Sequence, residues 1–393
     1  MTQITRRELL QSISALGAAG TTLHGLAAAA PLEVASMRIT GFELLPVRIP
    51  MAERLREAWN ASWSNQQRNQ THFTPVFVRL HTDAGVSGLG EAKMERSKAE
   101  VTLKSMIGRS PWEFVQDDAI NGILIAIYDL IGNATGLPVA RLLAPRPAER
   151  IIQTWWSQCF PPDMMASEAK MGLTQGYRVH KIKIRPWQDP IDQLNAISAV
   201  VPKEFKIWAD ANSWWAKDNP WKDKSIWAGS VDGALHVLRR LSTFPNLMGI
   251  ESPFARQEFQ PYRQLRGKVP LRIAEHIDGS DPMSYIREGL LDAFITGAPR
   301  LGSYFTQLAA VGKAAGVPLW VEHSIDNGIG QVFQAHQAAA LPGVEYCISI
   351  THCLEDDCMK EPFTMDNGYF HIPRKPGLGV SLDEAAVDKY RIK

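Results

Sequence analysis

Three acidic residues stand at or near the ends of short apolar runs. Asp210 closes Phe205–Asp210, Glu251 closes Leu247–Glu251, and Glu275 is the penultimate residue of Leu271–His276. If these runs are consecutive parallel strands, their ends lie side by side and the three carboxylates converge. Three oxygen ligands suit a hard divalent cation such as Mg2+, with water or substrate filling the other positions. A single acid at a strand end more simply caps the next helix; three in succession point to a metal. Asn212, two residues past Asp210, shares its face and is placed to bond a metal-bound water or the substrate. His276, beside Glu275, is a candidate for a supporting contact.

A second constellation is Lys181-Ile182-Lys183. Side chains at i and i+2 share one face of a strand, so both ammonium groups point the same way. A lysine pair flanked by apolar residues is a poor core element but a sensible base. Bringing a lysine from ~10.4 to near neutrality needs roughly three pKa units, about 4 kcal/mol. A second positive charge ~6 Å away, at an effective dielectric of ~20, supplies about 2.8 kcal/mol of that. Partial burial and a nearby cation can provide the remainder. Farther on, Trp320-Val321-Glu322-His323 ends another apolar run. Alternation is expected to turn His323 toward the same place, as acid or base, and Glu322 toward the outside.

The elements that would hold these residues follow from patterning. From residue 150 onward short apolar runs alternate with amphipathic helical stretches: Ile151–Gln158, His180–Ile184, Phe205–Asp210, Leu247–Glu251, Leu271–His276, Leu291–Thr296, Val317–His323 and Tyr346–Ile350. Eight strands with helical connections predict a parallel barrel, whose chemistry collects at the carboxyl ends of the strands. An open doubly wound sheet is the competing arrangement, and strand count alone does not separate the two. Before residue 150, Met37–Pro50, Thr74–Leu80 and the run into Gly88-Leu89-Gly90-Glu91 read as a meander followed by a helix over Asp118–Gly136, an α+β domain over residues 37–150. Gly88-x-Gly90 lacks the helix and third glycine of a dinucleotide site. Met51–Phe73 shows no period and reads as a long loop or lid.

The chain has 393 residues, 45% hydrophobic and 21% charged, with net charge +1, which suits a globular protein and argues against a nucleic-acid partner. Residues 1–30 carry Arg6-Arg7, an Ala- and Gly-rich stretch and Ala27–Ala30 before Pro31. That layout predicts a twin-arginine export signal and a periplasmic mature protein, with no membrane span after processing. Cys353 and Cys358 are close enough in sequence to pair in that compartment, and four buried free thiols are the equal alternative.

Gly176-Tyr177-Arg178 leading into Lys-x-Lys, then Asp210-Ala211-Asn212, Glu251-Ser252-Pro253 and Ala274-Glu275, resembles the mandelate racemase and muconate lactonising branch of the enolase superfamily. Ala126–Gly132 followed by Gly136-Leu137-Pro138 resembles the end of its capping domain, and Pro376-Gly377-Leu378-Gly379 its C-terminal return. The resemblance implies an α/β fold: a (β/α)7β TIM-like barrel over residues 151–362, an N-terminal α+β cap, and residues 363–393 returning to that cap. It implies one Mg2+ on Asp210, Glu251 and Glu275, Lys183 as proton-abstracting base, Lys181 steadying a substrate carboxylate, and His323 opposite. A homo-oligomer acting on a small carboxylate is the corresponding expectation. Enolase-superfamily sites reach an ene-diolate with a Lys or His base and Mg2+, so that mechanism comes with the resemblance.

Two positions depart from that pattern. The sixth strand offers Gly297 where this branch carries an Asp or Lys, leaving Asp326 as a substitute to orient His323. The eighth offers Ile348 where a Glu is expected, with Glu345 and Glu355 displaced. Trp59, Trp63, Trp155, Trp156, Trp214, Trp215, Trp221 and Trp227 could enclose the mouth or simply pack the domains together. Dehydration of a hydroxy acid or sugar acid is the favoured reaction, since one base suffices. Racemisation or epimerisation is the alternative, and a non-catalytic exported binder of the same fold is the rival from another class.

Overall fold

The computed structural model describes residues 36–63, 70–185, 187–213, 215, 230–277, 280–297, 302–322 and 327–392. The signal-like segment, His323, Asp326, Trp214, Trp221 and Trp227 lie outside these residues, and of Asn60–Trp63 only the backbone is described.

Three antiparallel strands open the described chain: β1 (Ile39–Pro46), β2 (Val76–Thr82) and β3 (Ser87–Ala92), in that order across the sheet. Their inner face is covered by a long apolar helix, Ile123–Thr135, which Gly136 ends in the left-handed conformation at φ 71°. The glycines of β3 have a packing role. A Cβ on Gly90 would lie 2.6 Å from the backbone nitrogen of Ala126, so the helix rests directly on the strand.

The region 51–73 is not a plain loop. Helix α1 (Glu53–Trp63) runs through it, and α2 (Arg96–Met106), α3 (Ile123–Thr135) and α4 (Val139–Leu143) complete the cap. Among the described side chains of α1, Leu55 and Trp59, spaced i, i+4, are the buried ones, a pair too short to register as a period.

Eight parallel strands follow: β4 (Arg150–Ser157), β5 (Val179–Lys183), β6 (Lys206–Asp210), β7 (Leu247–Glu251), β8 (Arg272–His276), β9 (Ala293–Gly297), β10 (Leu319–Glu322) and β11 (Val344–Ile348). Cys347 of β11 pairs with Gln153 of β4, so the sheet closes on itself and the open-sheet alternative is excluded. Helices α5 (Pro162–Thr174), α6 (Pro190–Ser198), α7 (Val231–Leu241), α8 (Phe259–Leu265), α9 (Pro282–Glu288), α10 (Ser303–Ala315) and α11 (Gly328–Ala340) connect successive strands, giving the (β/α)7β barrel. Several begin on local signals. Asp189 and Asp281 accept hydrogen bonds from Ile191 N and Met283 N, each just ahead of a proline at the first helical position.

The barrel floor is aromatic. Trp208 and Trp320 meet edge to face at 4.8 Å, and a Cβ on Gly249 would come within 3.0 Å of the Trp320 ring. Glu345 belongs to this floor, bonded to Arg272 (2.7 Å) and to the Trp320 indole (2.8 Å), so it is no substitute for an acid at the mouth.

Polar contacts help tie the cap to the barrel and to the returning chain. Glu91 of β3 accepts from Asn327 N (2.6 Å) and Gly330 N (2.9 Å) at the start of α11, and Asp129 of α3 accepts from Leu89 N and Leu378 N. The chain returns after the barrel through β12 (Tyr369–His371), antiparallel to β4, and through bridges of Gly377 with Pro138 and Arg391 with Val47. Helix α12 (Glu384–Tyr390) ends it. All four cysteines are buried free thiols, so the structure holds no Cys353–Cys358 bridge.

Candidate active site

Register decides what reaches the barrel mouth. Lys183, Asp210 and Glu251 are direct partners across β5, β6 and β7, and partnered residues in parallel strands share a face. Lys181, one step deeper, pairs with Trp208, and its ammonium lies 4.4 Å above that ring. The structure brings both lysines and these two acids to one end of the barrel.

The lysines sit inside a cage of carboxylates. Lys181 Nζ lies 2.8 Å from Glu251, 2.9 Å from Glu322 and 3.2 Å from Asp210, while Lys183 Nζ donates to Asp210 and lies 3.3 Å from Glu322. Burial by itself would lower the Lys181 ammonium, but the Glu251, Glu322 and Asp210 charges outweigh it and hold it above the ordinary lysine value. At Lys181 this runs opposite to the sequence-based arithmetic, which counted the neighbouring lysine, burial and a cation but no carboxylate. Burial resists ionisation of Asp210, yet Lys183 and Lys181 bring its carboxyl down to about 2. Burial, then the Asp210 charge, raise Glu251.

Glu322 is a residue that sequence reasoning turned the wrong way. Gly297 partners Glu322 and Ile295 partners Trp320, so Trp320 and Glu322 are the inward residues of β10 and the assumed alternation was off by one. The requirement to fill the floor with Trp320 fixes that phase. Gly297 itself brings no side chain to the mouth.

The same one-step offset separates Glu275 from His276. Glu251 partners Ala274, which puts Glu275 on the opposite face. Its carboxylate accepts from Ser252 Oγ (2.7 Å), His276 N (2.6 Å) and the Tyr262 hydroxyl of α8, and burial pushes it up to about 7. His276 instead occupies the mouth, its Nε2 3.0 Å from Glu251 and 2.6 Å from Glu322. Among the described residues, Glu251, His276 and Glu322 are the group whose ligand atoms lie within 4.8 Å of one another, close enough to share a cation.

Asn212 is held in the left-handed region (φ 49°), which a short polar side chain tolerates, and donates to Asp210 through Nδ2 (3.1 Å). Its Oδ1 accepts from the Arg185 guanidinium at 3.1 and 2.8 Å. Arg185 is buried too, and it continues the Lys181-x-Lys183 alternation by one more step, a signal present in the sequence and overlooked.

An aromatic wall covers one side. Trp156 partners Lys181, and its ring is 5.9 Å from Lys183 Nζ and 5.4 Å from Trp59 of the cap helix α1. Trp155 faces the helix layer, bonded to Glu168 and stacked on His352, and takes no part in that wall. Alternation carries on from Trp156 to Gln158, whose buried carboxamide has no hydrogen-bond partner on either atom. Glu355 is committed elsewhere, to Arg56. In the His352–Asp357 run, His352 bonds Trp156 O while Asp356 and Asp357 cap Cys358 N and Met359 N, so it is a structural turn.

Comparison with known proteins agrees with this fold. N-succinylamino acid racemase of Thermus thermophilus is 26% identical over 390 residues, spanning 90% of this chain and 97% of that one. D-gluconate dehydratase of Thermoproteus tenax is 22% identical over 356 residues, covering 80% and 69% respectively. Among solved structures, the muconate lactonizing enzyme of Pseudomonas fluorescens superposes with a TM-score of 0.72 at 22% identity, over 91% of this chain and all of the other (100%). Residues 164–386 match the Enolase C-terminal domain-like family. The chain therefore belongs to that family, in the mandelate racemase and muconate lactonising branch of the enolase superfamily, and is an enzyme.

Proposed function

We propose that this enzyme removes the proton α to a substrate carboxylate with Mg2+ bound at the mouth, and that it dehydrates a hydroxy acid or sugar acid. The observation that carries the reading is the pair Lys181 and Lys183 set against Asp210, Glu251 and Glu322 at one barrel mouth.

The donor set fits a divalent cation. Three enclosed carboxylates outnumber the two lysines beside them, and Glu251, Glu322 and His276 already lie at ligand spacing. We assign Asp210, Glu251 and Glu322 as the carboxylates that hold Mg2+. Glu275, the third ligand expected from sequence, reaches the same ion only by giving up Ser252 and Tyr262 and exchanging places with His276. Bound there, Mg2+ supplies positive charge beside the substrate carboxylate and lowers the cost of the dianion formed when the α-proton leaves.

The chain's own residues do the rest. Lys183, nearer the opening than Lys181, takes the α-proton once it has shed its own. Lys181, anchored over Trp208, holds a carboxylate oxygen of the substrate. The Trp59–Trp156 wall excludes water from the carbanion face, and Gln158 offers one donor and one acceptor to a substrate hydroxyl. The C–O bond to the β-hydroxyl then breaks, the hydroxide takes back the proton now on Lys183 and leaves as water, and the enol tautomerises to a 2-keto acid.

Racemisation or epimerisation is the second reading, supported by the similarity to a racemase along nearly the whole chain. Incubating the enzyme with hydroxy acids, aldonic acids and chiral carboxylates in D2O separates the two. A 2-keto acid product supports dehydration; recovered acid carrying α-deuterium, without keto acid, overturns it in favour of the second reading.

A further inference from the structure

Two residues past Lys183 stands Arg185, a buried cation that the proposed chemistry does not use. Its backbone is fixed by a thiol: Arg185 N donates to Cys159 Sγ (3.3 Å), and that thiol donates to Arg185 O (3.8 Å). Burial pushes Cys159 up to about 11, so it keeps the proton it donates. The Arg185 guanidinium lies 5.7 Å from the Trp187 ring. It donates through Nε and Nη2 to Asn212 Oδ1, at 3.1 and 2.8 Å.

A guanidinium has only donors to offer, so the Asn212 atom facing it is the oxygen. The amide nitrogen is thereby turned toward Asp210, reaching Oδ2 at 3.1 Å, while the backbone nitrogen of the same residue holds Oδ1 at 2.7 Å. One residue thus bonds both oxygens of Asp210 and fixes the rotation of that carboxylate. The grip needs a left-handed backbone at Asn212 (φ 49°) and again at Ser213 (φ 60°). Two successive non-glycine residues persist there only where their surroundings hold them. Ser213 is held by Ser252 O (2.7 Å to its N) and Phe254 O (3.0 Å to its Oγ). Asn212 is held between Asp210 and the Arg185 fork.

We infer that Arg185 and Asn212 are positioning residues for Asp210: the arginine fork sets the Asn212 amide, and Asn212 in turn holds the carboxylate in the orientation that receives Mg2+. This rests on the assignment of Asp210 as a Mg2+ ligand made above. Groups that orient a metal ligand govern metal affinity without touching the metal. The role is specific to arginine, because a lysine at 185 would supply a point charge and no planar pair of donors.

Calorimetric titration of the full-length protein with Mg2+, without substrate, tests this relay apart from catalysis. Arg185→Lys keeps the charge and loses the fork; Asn212→Gly tolerates the left-handed backbone and loses the amide; Asp210→Asn probes the ligand itself. Mg2+ affinity should fall at least about tenfold in each. In the double variant Arg185→Lys with Asn212→Gly it should stay within about twofold of Asn212→Gly alone, because the arginine acts through the amide it grips. Additive losses overturn the relay, since a direct effect of Arg185 on the site or on general stability would give them. So does wild-type affinity in Asn212→Gly or in Arg185→Lys when Asp210→Asn has lost it. Wild-type affinity in Asp210→Asn overturns the metal assignment, and the relay with it. Should Arg185→Lys fail to fold, judged by its melting transition, Asn212→Gly set against Asp210→Asn decides.

Discussion

Lys181 Nζ lies 2.8 Å from Glu251 Oε2 with both side chains wholly buried. A buried ion pair of this kind is weak evidence for stability, because desolvation of both partners offsets their attraction. Here the lysine also faces Asp210 and Glu322, so it serves as the resident counter-charge of an acidic pocket.

Replacing Lys181 by Met should therefore cost about 3–5 kcal/mol in urea unfolding without divalent ions, the penalty of stranding buried carboxylates. Adding Mg2+ should recover part of that loss, by supplying the missing charge. A variant as stable as wild type in chelator would show that the pocket does not depend on this ammonium.

Glu322→Gln and Glu275→Gln separate the two candidate third ligands. With Glu322 facing the mouth and Glu275 bonded to Ser252 and Tyr262, Mg2+ affinity measured by calorimetry should fall at least about tenfold in the first and change little in the second. The reverse order would mean that Glu275 turns inward when metal binds.

His336 gives the fold an acid-sensitive joint. Its Nδ1 accepts from Ala140 N (3.2 Å), which leaves the Nε2 proton to donate to Leu378 O (3.0 Å), joining α11 to the cap and the C-terminal return. Burial lowers the imidazole to about 4 from 6.5, so the unfolded chain binds the proton more readily. The stability from this group is present above pH 6.5 and is lost as pH falls toward 4, about 3 kcal/mol in all. His336→Gln should flatten that stretch of the pH–stability curve. His180, lowered by burial to about 3, adds its own acid sensitivity and is retained in the variant.

Gly90→Ala should destabilise the cap by about 1–3 kcal/mol, since the added methyl meets the backbone of Ala126 at 2.6 Å. Thermal unfolding measures it. An unchanged midpoint would mean that α3 can lift from β3 without loss.

Much of this was readable from residue types. The apolar runs after residue 150 located all eight barrel strands, because strands buried on both faces are nearly continuous in Val, Ile and Leu. Lys181, Lys183, Asp210 and Glu251 were legible because they end such runs. What failed was phase. A run buried on both sides carries no alternation to say which residues face in, so Glu322 was read as outward and Glu275 as inward. Those faces follow from pairing with neighbouring strands, a property of the closed barrel. The cap helix α1 was missed because, among its described side chains, Leu55 and Trp59 are the buried ones in an otherwise polar stretch.

Solvent-deuterium incorporation or loss at the α-carbon, followed by NMR on a panel of hydroxy acids and sugar acids, tests the proposed chemistry most directly. Wild type with Mg2+ should break the α C–H bond of at least one of them, and both chelation and Lys183→Ala should reduce that rate by at least about a thousandfold. A C–H cleavage rate that survives either treatment would contradict the assignment of Lys183 and a bound divalent cation as the proton-abstracting machinery.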